Sequence, residues 1–332
     1  MDYHIVCTAP GKAELQSFTI RNINDDEVLI KIQYTLISNG TEKARLSTQP
    51  NTHVTFPYIP GYSGVGIVEQ IGKAVKSLKK GDRVFVSHGG HTSRCIAKTG
   101  SIVRIPDNVE MIDAVFTKMA SFPMHGLRNA RFEMGESVVV VGLGALGLLG
   151  IQLAKIAGAL PVVAIGNREI RRELAIKFGA DYVFDPNEED VAEKVIRASK
   201  YTSNAADVII ETSGSADALN LAAKYVSKYG RISLVGCNRV TDKPIDLYQF
   251  HVKGVSIIGS NASTQKNYES CPGIWTGRKN FTAILGYMAD GRLTPQLMNP
   301  SIFEPSLASK VYDRLLNDRE FPLGVIFDWT KI

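Results

Sequence analysis

Cysteine is scarce. Only Cys7, Cys95, Cys237 and Cys271 occur in 332 residues, far apart and with no C-x-x-C pair. That excludes a zinc ribbon or a disulfide framework and suits a reducing compartment. Long apolar runs are missing too: the longest, 138–151, is interrupted by Gly142, Gly144, Gly147 and Gly150 and is too short to span a bilayer. The opening residues Asp2, Tyr3 and His4 lack the apolar region of a signal peptide, so a cytoplasmic location and no membrane partner are expected. Charge of one sign is nowhere concentrated. The net charge is only +5, and no basic run interleaves with aromatics, which argues against nucleic acid as a partner. With 44% hydrophobic and 21% charged residues, the composition is that of a soluble globular protein, long enough for two domains with separate cores.

What the chain does have is a strand breaking into a glycine-rich turn. Val138, Val139, Val140 and Val141 form a β-branched run suited to a buried parallel strand. Gly142, Gly144 and Gly147 then fit G-x-G-x-x-G, which gives a tight turn, close backbone approach to a pyrophosphate, and tight helix–strand packing. The apolar stretch 146–159 reads as the following helix, so the amides of Ala145, Leu146 and Gly147 would face phosphates. A second strand, 162–165, follows in order, and a nicotinamide or flavin nucleotide is the expected ligand. A site preferring NAD usually carries Asp or Glu about 20 residues beyond the glycines. Gly166 stands there instead, followed by Asn167, Arg168, Arg171 and Arg172. A guanidinium offers a 2′-phosphate charge-assisted hydrogen bonds, so Arg168, with Arg172, selects NADP(H) as the expected cofactor.

Residues 1–125 read as short strands punctuated by turns, with segments 28–34, 64–71 and 83–86 the clearest, as in a small irregular barrel. Beyond about residue 130 strands and helices alternate: strands 138–141, 162–165, 182–184, 208–211, 231–235 and 255–258, with helices 171–178, 191–198 and 216–225 between them. That alternation predicts an α/β fold with a doubly wound parallel sheet over 126–284. Thr212, Ser213, Gly236, Cys237 and Ser260, at the ends of the later strands, would complete the nucleotide site. Segments 281–289 and 306–316 read as helices and 324–328 as a final strand, so that 285–332 completes the first domain.

Five motifs in order resemble those of the medium-chain dehydrogenases/reductases. They are Asn39-Gly40-Thr41-Glu42, the run Pro60-Gly61-Tyr62-Ser63-Gly64-Val65-Gly66, Gly81-Asp82-Arg83-Val84, the glycine fingerprint, and Gly230-Arg231. The resemblance covers nearly the full length. It implies a GroES-like small β-barrel catalytic domain, a Rossmann NADP(H)-binding domain, an active site in the cleft between them, and a homodimer or homotetramer paired through the 255–258 edge strand. Zinc-dependent members carry Cys-Gly-Thr-Asp, Gly-His-Glu and a further acid or cysteine. Here those ligand positions hold Asn39, Tyr62, Ser63 and, by an ungapped count back from His125, Lys118. None of these is a normal zinc ligand, and the four-cysteine structural zinc lobe is absent, so no bound metal is expected.

Hydride transfer to a carbonyl builds negative charge on oxygen, which needs a donor or cation where zinc is missing. Lys118 would supply the charge and lower the pKa of Tyr62, making that phenol a general acid, with Thr41 relaying the proton. Asn39, Glu42, His88, His91 and His125 are the candidate substrate-binding residues. His88 and His91 flank Gly89-Gly90, without the third ligand or helical spacing of a zinc protease site. The expected function is an NADPH-dependent, zinc-independent oxidoreductase acting on a small polar molecule, sugar-, polyol- or keto-acid-like. A quinone or enone reductase of the same superfamily, or a non-catalytic NADP(H)-binding protein, are the alternatives.

Overall fold

The computed structural model describes residues 1–332 except 202–203, 240–242, 267–268 and 270–272, so Cys271 lies outside the described residues. The chain forms two compact units, Met1–Lys118 with Thr276–Ile332, and Met119–Trp275. The lines drawn from sequence, 125/126 and 284/285, both fall inside helices, Thr117–Asn129 and Gly277–Ala289.

The first unit opens with β1 (Asp2–Ala9) and β2 (Lys12–Phe18), an antiparallel hairpin that the sequence reading did not identify. It continues through β3 (Glu27–Leu36), β4 (Ser63–Ile71), β5 (Arg83–Ser87), β6 (Arg94–Lys98) and β7 (Ile102–Arg104). The second unit contains β8 (Val138–Val141), β9 (Val162–Ile165), β10 (Tyr182–Phe184), β11 (Ala206–Glu211), β12 (Val226–Leu234) and β13 (Ser256–Gly259). The chain then returns to the first unit with β14 (Ser301–Phe303) and β15 (Val325–Asp328).

In the first unit the strand order is β14-β15-β3-β4-β5-β7, with β6 also pairing β3, a GroES-like sheet. It closes over Ile5, Ile30, Ile32, Val68, Val84, Val86, Val325, Phe327 and Trp329. In the second unit the order β10-β9-β8-β11-β12-β13 is parallel throughout and reverses direction at β8, the Rossmann arrangement. Every side chain of β8 and β9 is buried, because helices cover both faces of a parallel sheet; this is why those strands are unbroken apolar runs in sequence.

Strands β8, β9 and β10 and the helices Val191–Ala198 and Ala216–Tyr225 have the bounds read from sequence. Strand β12 starts at Val226 rather than 231, since its first half, with Lys228 and Tyr229, carries no apolar run. Helix Asn39–Leu46 was not identified. Its eight residues are too few for a periodic signal, and Gly40 weakens it. Glu42 secures its start by accepting from the Ser38 N–H at 2.8 Å, a capping interaction shifted by one residue.

Candidate active site and nucleotide-binding turn

In the first unit a cavity of about 440 Å³ is lined by Thr41, Glu42 and Arg45 of one helix, by the Tyr58–Tyr62 segment, and by His88, Gly89 and Gly90. Its wall is held from behind by a buried polar network. The Glu42 carboxylate accepts from Ser38 N, from Tyr312 Oη at 2.5 Å and, at 3.2 Å, pairs with His91 Nε2. His91 Nδ1 meets Thr35 Oγ1 at 2.7 Å, which also accepts from Trp329 Nε1 at 2.9 Å. Gly61 adopts φ +94°, and a Cβ there would lie 2.8 Å from the His91 ring, so only glycine lets the cavity wall rest on that imidazole. His91 is 0% exposed with both ring nitrogens engaged. It is therefore a strut of the fold and not the substrate-binding residue expected. Glu42 lines the cavity, but its oxygens are committed to the same network, so it too is corrected to a supporting role.

Tyr62 and His88 lie with ring centroids 6.3 Å apart, and the Tyr62 hydroxyl donates to Ser38 Oγ, with Thr41 in the same hydrogen-bonding group. His88 is exposed, with φ +64°. Its pKa is lowered by loss of solvent and then by the charge of Lys118, which puts those two groups in one electrostatic neighbourhood. Lys118 is only 6% exposed, with its Nζ 5.1 Å from the Phe281 ring centroid, and burial brings its pKa down to about 8. The expectation of a Tyr62 phenol acidified by Lys118 is overturned. Burial, followed by the nearby Glu42 charge, drives Tyr62 well above its ordinary range. Of the two, Lys118 is the one whose titration burial brings closer to neutrality, at about 8.

The four side chains expected from sequence at zinc-ligand positions, Asn39, Tyr62, Ser63 and Lys118, are not the usual donors for zinc. Asn39 Nδ2 donates to the Pro322 carbonyl at 2.7 Å while its Oδ1 is buried without a partner among the described residues, and Ser63 Oγ donates to the Val115 carbonyl at 2.5 Å. Tyr62 and Lys118 are held in their protonated forms over most or much of the working range. Among the described residues no three His, Cys, Asp or Glu side chains cluster as metal ligands.

In the second unit the glycine turn fits a dinucleotide. Gly144 caps the Ala145–Ile156 helix with no side-chain hydrogen bond, and a Cβ there would meet nothing within 4 Å, leaving the first helical amides of Ala145 and Leu146 open to an anion. A Cβ on Gly147 would lie 1.9 Å from the Gly142 carbonyl, so the helix can approach the turn only with glycine there. Thr212 Oγ1 donates to the carbonyls of Val141 and Gly142 at 2.9 and 2.7 Å and fixes the turn. Gly236 and Cys237 pack against Thr212 and Gly214, so the ends of β8, β11 and β12 meet at one crevice. Ser213 donates to the buried Glu211 carboxylate through both its amide and its hydroxyl.

At the end of β9, Gly166 packs on Leu143; a Cβ would come within 2.6 Å of Leu143 Cδ1, which leaves little room for the acid usual there. Asn167 is exposed beside it, and Arg168 is the partly exposed residue before the Glu169–Lys177 helix. Three expected ligands of substrate or cofactor are corrected. Arg172 donates to the Gly166 carbonyl and pairs with Asp185, both at 2.8 Å, so it fastens the loop. Ser260, 1% exposed, bonds Ser233 Oγ at 2.7 Å and accepts from Asn129. His125 is buried, with Nε2 2.8 Å from Thr264 Oγ1 and 3.1 Å from Asn129 Nδ2.

Ser38, Arg45 and Tyr58 were missed from sequence. A helix assignment for 39–46 would have found Arg45, which stands four residues, one turn, after Thr41.

Comparison with known proteins agrees with this layout. Residues 24–127 match the alcohol dehydrogenase GroES-like domain family and residues 145–272 the zinc-binding dehydrogenase family. The L-threonine 3-dehydrogenase of Pyrococcus horikoshii is 33% identical over 263 residues, which is 70% of this chain and 75% of that protein. The D-guloside 3-dehydrogenase of Shigella flexneri is 30% identical over 289 residues, 79% of this chain and 82% of that one. The crystal structure of galactitol-1-phosphate dehydrogenase from Escherichia coli superposes with a TM-score of 0.83 at 20% identity, covering 98% of this chain and 99% of that one. The chain belongs to the medium-chain dehydrogenase/reductase superfamily.

Proposed function

We propose that the chain is an NADPH-dependent, zinc-independent oxidoreductase that interconverts a carbonyl and a hydroxyl on a small polar molecule of sugar, polyol or keto-acid type. The observation that carries this reading is Lys118: a buried ammonium with pKa of about 8, at a position the family resemblance gives to a zinc ligand, whose charge acts on the cavity residue His88. A proton-holding group tuned close to working pH is what a carbonyl reduction without a Lewis acid requires. The relatives named above for threonine and guloside support a small hydroxylated substrate.

When bound, NADPH supplies the hydride. The amides at the Gly144 turn hold its pyrophosphate and Arg168 the 2′-phosphate. Lys118 carries the proton for the reduced oxygen. The Tyr62 hydroxyl, anchored on Ser38, supplies an oriented dipole with Thr41 beside it. His88 is the remaining polar side chain of the cavity offered to a substrate, and Asn39, whose Oδ1 has no partner among the described residues, stands at the start of the helix that carries Thr41. A homodimer is part of the proposal. It is supported by β13, which among the described residues pairs only with β12 and leaves Ile257 37% exposed at the edge. Among the described residues no helix is long and apolar enough to cross a membrane, and a cytoplasmic location is proposed with it.

Turnover tests this directly. NADPH oxidation is expected with ketoses or keto-acids and not with quinones or α,β-unsaturated ketones; the reverse pattern favours the enone or quinone reductase. No turnover on any of them, with micromolar NADPH affinity, favours a nucleotide-binding protein. NADPH is expected to bind at least about tenfold more tightly than NADH. Arg168→Ala removes that difference by weakening NADPH alone, measured by fluorescence titration, and equal affinities in the unmodified protein refute the preference. Tyr62→Phe, which loses a hydrogen bond but not the titrating group, is expected to lower turnover by only about tenfold.

A further inference from the structure

Arg45 is not explained by the chemistry above. It lines the cavity one helical turn after Thr41, and its guanidinium lies 4.5 Å from the centroid of the Tyr58 ring. Its Nε is buried with no acceptor among the described residues. The acid that lines the same cavity, Glu42, has its oxygens committed to Ser38, His91 and Tyr312 and offers the guanidinium no salt bridge. A guanidinium over a ring, with a buried Nε–H that has no acceptor among the described residues, is an incomplete interaction, because an unmet donor in a poorly solvated place is unfavourable. The face of the ring fixes the plane of the fork, and the fork matches a carboxylate or phosphate bidentately.

We infer that Arg45 is the anchor for an oxyanion, a carboxylate or phosphate ester, carried by the substrate, and that this anchor sets the specificity of the enzyme proposed above. The rest of the cavity fits such a molecule. Tyr58, Ile59 and Pro60 give an apolar wall, Thr41 and Tyr62 give hydroxyls, and the volume of about 440 Å³ suits a ligand of sugar-acid size. Thr41 and Arg45 are separated by about 6 Å along the helix axis, so the oxyanion sits a few bonds from a hydroxyl that meets Thr41. A neutral polyol can accept from the guanidinium but cannot balance its charge.

The inference rests on the proposed function for the word substrate, and its test has a binding arm that does not. Calorimetric titrations use protein saturated with NADPH, so that phosphate has no access to the nucleotide's own anion site. The probes are D-gluconate, inorganic phosphate and neutral D-sorbitol, against the unmodified protein, Arg45→Gln and Arg45→Lys. Gluconate or phosphate is expected to bind the unmodified protein at least about tenfold more tightly than sorbitol. Whichever anion binds more tightly identifies the carboxylate or phosphate class. Arg45→Gln is expected to abolish that margin with NADPH affinity and melting temperature unchanged. Arg45→Lys, which keeps the charge but not the fork, is expected to retain part of it. Anions binding no better than sorbitol, or keeping their margin in Arg45→Gln, overturn the inference. Loss of NADP-linked turnover on every hydroxylated or carbonyl compound, with the Arg45-dependent anion binding intact, defeats the proposed reaction and leaves the anion site standing.

Discussion

Replacing Lys118 by Met is expected to give a more stable and nearly inactive protein. The side chains are similar in length, so the Phe281 contact is largely kept while the ammonium is lost. Turnover in carbonyl reduction should fall by about 100- to 10,000-fold, the range for removal of a positioned proton donor. Stability should move the other way. Holding Lys118 charged in a buried place costs about 3 kcal/mol, because its pKa is drawn from 10.5 down to about 8. The unfolded chain therefore binds the extra proton between about pH 8 and 10.5, and stability rises with pH across that window. The advantage of Lys118→Met, read from denaturant midpoints, should be largest below pH 8 and gone above 10.5. A variant that is less active but no more stable at pH 7 would mean that Lys118 is solvated and does not hold the buried proton. A residue that weakens the fold and is essential for turnover is the expected mark of a functional site.

Glu42→Leu should be the most damaging change to the fold. Three donors aim at that carboxylate, Ser38 N, His91 Nε2 and Tyr312 Oη, and an apolar side chain leaves all of them buried and unanswered. A loss of about 3–5 kcal/mol is expected by chemical denaturation. Tyr312→Phe, which removes one donor together with its need for a partner, should cost only about 1 kcal/mol. Comparable losses from the two would show that the network carries no special weight.

The parallel sheet was legible because its physics is local. Buried parallel strands must be apolar throughout, so Val138–Val141 and Val162–Ile165 announce themselves, and the turn between strand and helix is written in Gly142, Gly144 and Gly147. The substrate-side chemistry was not legible, because it depends on burial. Nothing in the sequence distinguishes His88, exposed at the cavity, from His91, three residues on and fully enclosed. Nor does it tell that Tyr62 and Lys118 are both driven toward their uncharged forms, one upward and one downward, by the same loss of solvent. Arg172 and Ser260 were plausible ligands by position, yet their polar atoms are spent on Asp185 and Ser233. Arg45 was hidden because the helix that carries it has no apolar period.

If Lys118 stands in for a metal, protein dialysed against chelator until its zinc is far below one atom per chain keeps its NADPH-linked ketone reduction, and the pH profile of kcat/KM shows the titration of Lys118. Full turnover is expected, level at low pH and falling as pH rises through about 8, where Lys118 loses its proton. Activity lost on dialysis and restored by zinc would contradict the claim.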